Sequence, residues 1–110
     1  MNKGSCSVKA EITDEQGYLV IHFTGEVDLN AQPHAREIIL ECLGLRRNTL
    51  LDLSAVTYID SSGIASFVEG YKFAKTNNLE FGLRNISDEV DRVLHLAHLE
   101  EVLPIYDSLG

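Results

Sequence analysis

Val56-Thr57-Tyr58-Ile59-Asp60-Ser61-Ser62-Gly63 decides how this chain is read. An apolar, β-branched run stops there at a carboxylate, two hydroxyls and a glycine. Beyond it Ile64, Phe67, Val68, Tyr71 and Ala74 recur at helical spacing. The stretch therefore predicts a β run that hands over to an amphipathic helix. The first N–H groups of a helix have no partner inside it, so Asp or Ser accepts from them, and the macrodipole favours negative charge. Ser61 reads in two ways: as a cap, or as a hydroxyl whose phosphate ester would be stabilised by those free N–H groups and the dipole.

Upstream of this step, Thr49-Leu50-Leu51-Asp52-Leu53 is short and apolar enough for a buried strand, with the central loop following it. Before that, Ala31, Ala35, Ile38, Ile39, Cys42 and Leu43 fall on one helical face. Pro33 sits in the first turn of that helix, where its missing N–H costs little. Gly25 to Asn30 interrupts the pattern. Val8, Ala10 and Ile12 alternate with polar residues, Asp14 to Gly17 supplies turn chemistry, and Tyr18 to Phe23 is a second β run, which together read as a hairpin.

Downstream, Asn77-Asn78 is the predicted stop of the central helix and Leu79 to Leu83 the next strand. Ser87 caps a further helix, with Asp88 and Glu89 in its first turn and Val90, Val93, Leu94 and Ala97 on its buried side. The last apolar run, Val102 to Tyr106, contains Pro104 and so reads as an edge strand or one whose ladder breaks there. The fold class is α/β: a mixed sheet made of an N-terminal hairpin and then parallel β-helix-β units, covered by helices, in a single domain over residues 1–110. Strand-to-helix loops of such units emerge on one edge of the sheet. The loops at 25–30, 58–63 and 84–87 should then be neighbours, bringing Asp28, Asp60 and Ser61 to one surface.

Composition excludes several classes of function. Seventeen acidic against nine basic residues give a formal charge of -8, which repels nucleic-acid backbones, and no basic run overrides that average. No apolar stretch approaches the length of a membrane span, and the start of the chain, Met1 to Gln16, is polar and mixed in charge, unlike a secretory leader. Cys6 and Cys42 lack CxxC spacing, which reads as two reduced thiols in a cytoplasmic protein.

Gly25-Glu26-Val27-Asp28, then Leu50 to Ser54, then Val56 to Gly63, an apolar helix and Leu79 to Leu83 resemble the STAS domain of bacterial anti-sigma factor antagonists. The likeness runs over about residues 8–106 and keeps the family's order of elements. It implies a switch. In that family the serine directly after the aspartate is phosphorylated by a partner that is both anti-sigma factor and serine protein kinase, and a PP2C-type phosphatase removes the phosphate. The unmodified antagonist binds the anti-sigma factor and frees the sigma factor. By resemblance the acceptor here is Ser61, and the partner-binding set is Asp28, Asn30, Asp60, Ser62 and Gly63. Two departures stand out: Ala65 occupies a place where the family tends to have a small residue, often glycine, and the family usually adds a helix after its last strand whereas this sequence stops at Gly110.

Adding about -1.5 to -2 charge at a helix N-terminus gains about 1 kcal/mol from the dipole, while each acid at ~5 Å repels each unit of that charge by about 3 kcal/mol at an effective dielectric of 20. Water screens those terms in the free protein. Under a docked partner the dianion must be desolvated, and each 1.4 kcal/mol lost weakens binding about tenfold. Modification is therefore expected to change affinity far more than structure. The alternative is a STAS subunit that is never phosphorylated, such as one resembling the small soluble partner of a bacterial lipid-transport ATPase.

Other candidate chemistry is thinner, and no enzyme, cofactor or metal function is expected. Ser61 lacks a GxSxG setting, and His22 is the one histidine near the expected site edge, so a hydrolase has little to build on. Asp52 imitates a receiver-domain phosphoacceptor without the acidic pair that such a site needs. His95 and His98, with Glu100 and Glu101 nearby, read as surface residues rather than ligands. No Walker-type loop is present. On the central helix, Ile64, Phe67, Val68 and Tyr71 are expected in the core, and Ser66, Glu69 and Gly70 on the outward face. Arg46 and Arg47 are expected in a solvated loop at the opposite sheet edge.

Overall fold

The computed structural model describes residues 8–99 and 102–106. Cys6, Glu100 and Glu101 lie outside the described residues. Five strands form one sheet in sequential order: β1 (Val8–Glu15), β2 (Tyr18–Val27), β3 (Thr49–Ile59), β4 (Phe81–Arg84) and β5 (Ile105–Tyr106). β1 and β2 are antiparallel, and every later pair is parallel. The three parallel connections are α1 (Gln32–Gly44), α2 (Ser61–Thr76) and α3 (Asp88–Leu96). Each steps to the next strand in the same direction, so right-handed crossovers put all three helices on one face.

The hairpin closes through Gln16 and Gly17, both at positive φ (53° and 89°), the two-residue turn that matches strand twist. Alternation in β2 to β4 then sets the core. Leu19, Ile21 and Phe23 face the helices with Leu51, Leu53, Phe81 and Leu83, and meet Ala35, Ile39, Phe67, Val90 and Leu94. The opposite face carries no helix among the described residues, yet Val20 and Leu50 are fully buried there. Tyr18 and Tyr106 make an edge-on ring pair and both donate to Glu80 Oε1. A side chain at Gly82 would collide with the Tyr106 ring, so these aromatics lie against the sheet. Glu80 is also the main reason the Tyr18 hydroxyl is pushed up to about 12, with burial adding to it.

β3 runs unbroken from Thr49 to Ile59, so the apolar run at 49–53 and the β run at 56–59 are one strand with no loop between them. From Leu53 onward its buried residues are Leu53, Val56 and Ile59, three apart instead of two. The ladder explains the spacing: the β2–β3 register slips between His22 and Thr24 and again between Gly25 and Glu26, each time placing one more residue in β3. Two bulges thus carry one strand through a stretch whose burial period looks wrong for one. β4 starts at Phe81 rather than Leu79, and the β5 ladder begins only after Pro104, whose carbonyl accepts from Leu83 N–H at 2.8 Å.

Ser66 and Gly70 do not face outward. Ser66 is buried and donates to the Gly63 carbonyl at 2.6 Å, and a methyl at Gly70 would come within 2.7 Å of Ile39 Cγ2. α2 packs against α1 as well as the sheet, so its buried sector is wider than a single apolar stripe indicates. Glu69 is exposed as expected, paired with Arg36 at 2.9 Å, while Val68 and Tyr71 are only half-buried. In the loop expected to be solvated, Arg46 is exposed and Arg47, partly exposed, also bonds Asp14 at 2.8 Å and the Gly17 carbonyl at 3.2 Å across the hairpin turn.

Candidate functional site

Asp60 joins β3 to α2. Its backbone is extended, and Oδ1 accepts from the N–H groups of Ser62 (3.0 Å) and Gly63 (3.1 Å), so the helix cap is Asp60 and not Ser61. Oδ2 accepts from Leu29 N–H at 3.1 Å, and Asp60 N–H donates to the Val27 carbonyl at 3.4 Å. One residue therefore fastens the loop after β2 to the start of α2. Asp28 turns its own carboxylate onto Ala31 N–H (3.0 Å), closing the turn that precedes α1, while Leu29 and Asn30 are exposed. The structure thus brings residues 27–30 and 60–63 together, as the parallel topology required.

Gly63 is the point of closest approach. A side chain there would run into the Val27 carbonyl oxygen and come within 2.8 Å of Ile59 Cγ1. Because backbone blocks the way, only glycine lets the two loops meet.

Ser61 is the first residue of α2 and is exposed. No hydrogen bond to a described residue holds its hydroxyl. Ser62 is half-buried behind it. One expectation needs correction: the N–H groups of Ser62 and Gly63 are already taken by Asp60 and are not available to a phosphate. A group esterified to Ser61 would point outward, next to the Asp60 carboxylate, and gain little from the helix end beyond its dipole.

Ser61 also borders an apolar groove of about 650 Å³ between α2 and α3, with Ile64, Ala65, Val68, Val93, Leu96 and Leu99 among its walls. The sequence did not reveal this groove. Its signal was Leu96, which falls off the buried side of α3 and is 68% exposed, and Ala97, expected in the core, is exposed beside it.

The remaining candidates lie elsewhere. His22 is on the helix-free face, five residues before β2 ends, which at about 3.3 Å per residue puts it roughly 16 Å from the Ser61 end. Its Nε2 meets Thr13 Oγ1 at 2.9 Å, so no Ser61–His22 pair forms. Asp52, also on that face, accepts from Ser54 N–H (3.1 Å), Ser54 Oγ (2.8 Å), Arg84 Nε (3.1 Å) and Asn85 Nδ2 (3.0 Å). Burial works to raise the Asp52 carboxyl, but hydrogen bonds from Asn85, Ser54 and Arg84 outweigh it and hold it below the ordinary range. Arg84 bonds Glu15 with two nitrogens (3.0 and 3.2 Å), and these bonds lower Glu15 as well. Cys42 is buried, which pushes its thiol up, with Glu41 adding to the shift. Among the described residues no cluster of three or more His, Cys, Asp or Glu could hold a metal, and no helix is long and apolar enough to cross a membrane.

A mixed-sheet α/β domain that presents, at the ends of its parallel strands, an exposed serine bonded to no described residue, a capping aspartate and an open groove defines a class of protein with a displayed surface. The family follows from the sequence as a whole: residues 9–110 match the STAS domain, and the chain belongs to that family. It is 29% identical to an anti-sigma-B factor antagonist of Listeria monocytogenes over 108 residues, covering 96% of this chain and 91% of the relative. The fold matches the crystal structure of an anti-sigma factor antagonist from Mycobacterium paratuberculosis with a TM-score of 0.81 at 24% identity, over 98% of this chain and 92% of that one. It also matches the Bacillus cell fate determinant SpoIIAA in its phosphorylated form, with a TM-score of 0.68 at 16% identity, over 91% and 93% of the two chains.

Proposed function

We propose that this chain is an anti-sigma factor antagonist that works as a phosphorylation-switched binding module. Unmodified, it docks on an anti-sigma factor that is also a serine protein kinase and so releases the sigma factor. Phosphorylation of Ser61 ends that binding, and a PP2C-type phosphatase restores it. Asp28, Asn30, Asp60 and Ser62 form the partner-binding surface around the acceptor, continued by the groove between α2 and α3, whereas Gly63, expected in that set, is buried and serves it only by letting the two loops meet. The observation that carries the reading is Ser61 itself: exposed, unbonded to any described residue, and on the rim of an apolar groove.

Support comes from the physical setting as well as the relatives' names. Asp60 does the structural work of capping, so Ser61 is not needed to hold the helix and is left for another role. A phosphate there would sit at the mouth of an apolar contact and have to be desolvated along with it. A solved neighbour carries phosphate on the same fold.

The test is to incubate the protein with ATP and the serine kinase encoded in its own genome, then map phosphate by mass spectrometry. Modification at Ser61, absent in Ser61→Ala, is expected. An active kinase that leaves Ser61 and Ser62 unmodified would overturn the switch and favour a STAS subunit that docks without phosphorylation, as in a lipid-transport ATPase.

A further inference from the structure

The sheet ends at β1, and the outer edge of that strand from Ala10 to Asp14 is not paired with any strand among the described residues. The edge is uninterrupted. The β1–β2 register runs from Lys9↔Thr24 to Glu15↔Tyr18 without a bulge. A two-residue hairpin makes the pair flanking the turn, Glu15 and Tyr18, a hydrogen-bonded one. Alternation then directs the backbone N–H and C=O groups of Glu15, Thr13, Glu11 and Lys9 toward β2, and those of Ala10, Ile12 and Asp14 outward. Ile12, in the middle of this outward set, is 51% exposed.

We propose that this edge pairs with the same edge of a second copy, antiparallel, across a two-fold axis at Ile12. Side-chain charge selects both the partner and the register. With the axis at Ile12, each Lys9 lies opposite Glu15 of the second copy, Glu11 lies opposite the uncharged Thr13, and the two Ile12 side chains face each other on the helix-covered side. Sliding the axis to Glu11 puts the two Glu11 carboxylates opposite one another. Sliding it to Thr13 puts Glu11 opposite Glu15 of the second copy. Like charges directly opposite are destabilising. An axis at Ala10 keeps a Lys9–Glu11 attraction but pairs a shorter length of strand. The sequence of β1 is thus complementary to itself in one register that uses nearly the whole strand, a pattern that an edge built only to repel neighbours lacks.

The pairing joins two five-stranded sheets into one and uses neither Ser61 nor the groove beside it, so it can be tested on the unmodified chain without any partner. Sedimentation equilibrium of the full chain from micromolar to several hundred micromolar should show a reversible monomer–dimer equilibrium. Ile12→Pro removes one outward N–H without touching the β1–β2 ladder, and Lys9→Glu turns two attractions into repulsions. Each should weaken the dimer at least tenfold while circular dichroism keeps the wild-type spectrum. Thr13→Lys, which sets a positive charge opposite Glu11, should tighten it. A wild-type chain that stays monomeric throughout this range, or a dimer indifferent to both Ile12→Pro and Lys9→Glu, would overturn the proposal.

Discussion

β3 carries two aspartate–serine pairs, one at Asp52 and Ser54 and one just past its end at Asp60 and Ser61, and the molecule treats them in opposite ways. Asp52 is buried and accepts from the Ser54 hydroxyl, Arg84 and Asn85, so its serine is bound and its charge is matched. Asp60 commits its carboxylate to three backbone N–H groups, from Ser62, Gly63 and Leu29, and leaves the exposed Ser61 hydroxyl without a bond to any described residue. The same two residue types yield a lock in one place and an open acceptor in the other. What differs is register. Asp52 lies where β2, β3 and β4 are all paired, whereas Asp60 follows the bulged extension that outruns β4.

The largest expected effect of breaking this contrast is at the lock. Asp52→Ala should cost about 2 to 3 kcal/mol of stability, because it leaves Arg84 and Asn85 facing a buried gap, with Glu15 retaining only part of the charge balance. Urea denaturation measures it. The same carboxylate should also shape the acid limb of stability. Its folded value lies below the unfolded one of about 3.9, so its contribution is complete above that pH and is lost as pH falls through the lower folded value. Wild type should therefore lose urea resistance between about pH 5 and 2 more steeply than Asp52→Asn.

A smaller loss is expected at the cap. Asp60→Ala should cost about 1 kcal/mol, typical of a lost N-cap, and should raise hydrogen exchange at the Leu29 and Ser62 amides while leaving the β3–β4 amides protected. If Asp60→Ala proves as damaging as Asp52→Ala, the two sites are not the lock and the open end described above.

Much of this was legible in the chain. The hairpin could be read from Asp14 to Gly17, α1 from Pro33 and its apolar face, and α3 from Ser87, whose hydroxyl accepts from Val90 N–H at 3.3 Å. The meeting of the Asp28 and Asp60 loops followed from parallel connectivity alone. What escaped depended on pairing that no local pattern encodes. The bulges disguised the continuity of β3 across Ser54 and Ala55, contact with α1 drew Ser66 and Gly70 inward, and the Glu15–Arg84–Asp52 cluster exists only because the register aligns three strands. The diversion of the α2 N–H groups to Asp60 was missed for a related reason. Aspartate and serine are comparable caps, and the sequence left open which of them turns inward.

Removing Ser61's hydroxyl should be nearly silent for the fold, since nothing described is bonded to it, and the most direct measurement pairs that stability with affinity. Calorimetric titration of the serine-kinase anti-sigma factor with the unmodified chain and with the chain phosphorylated at Ser61, alongside their melting temperatures, should give binding at least tenfold weaker after modification. The melting midpoint should move by no more than about 3 °C, the scale of a surface change near 0.5 kcal/mol. Equal affinities for the two forms, or loss of binding explained by an unfolded phosphoprotein, would contradict it.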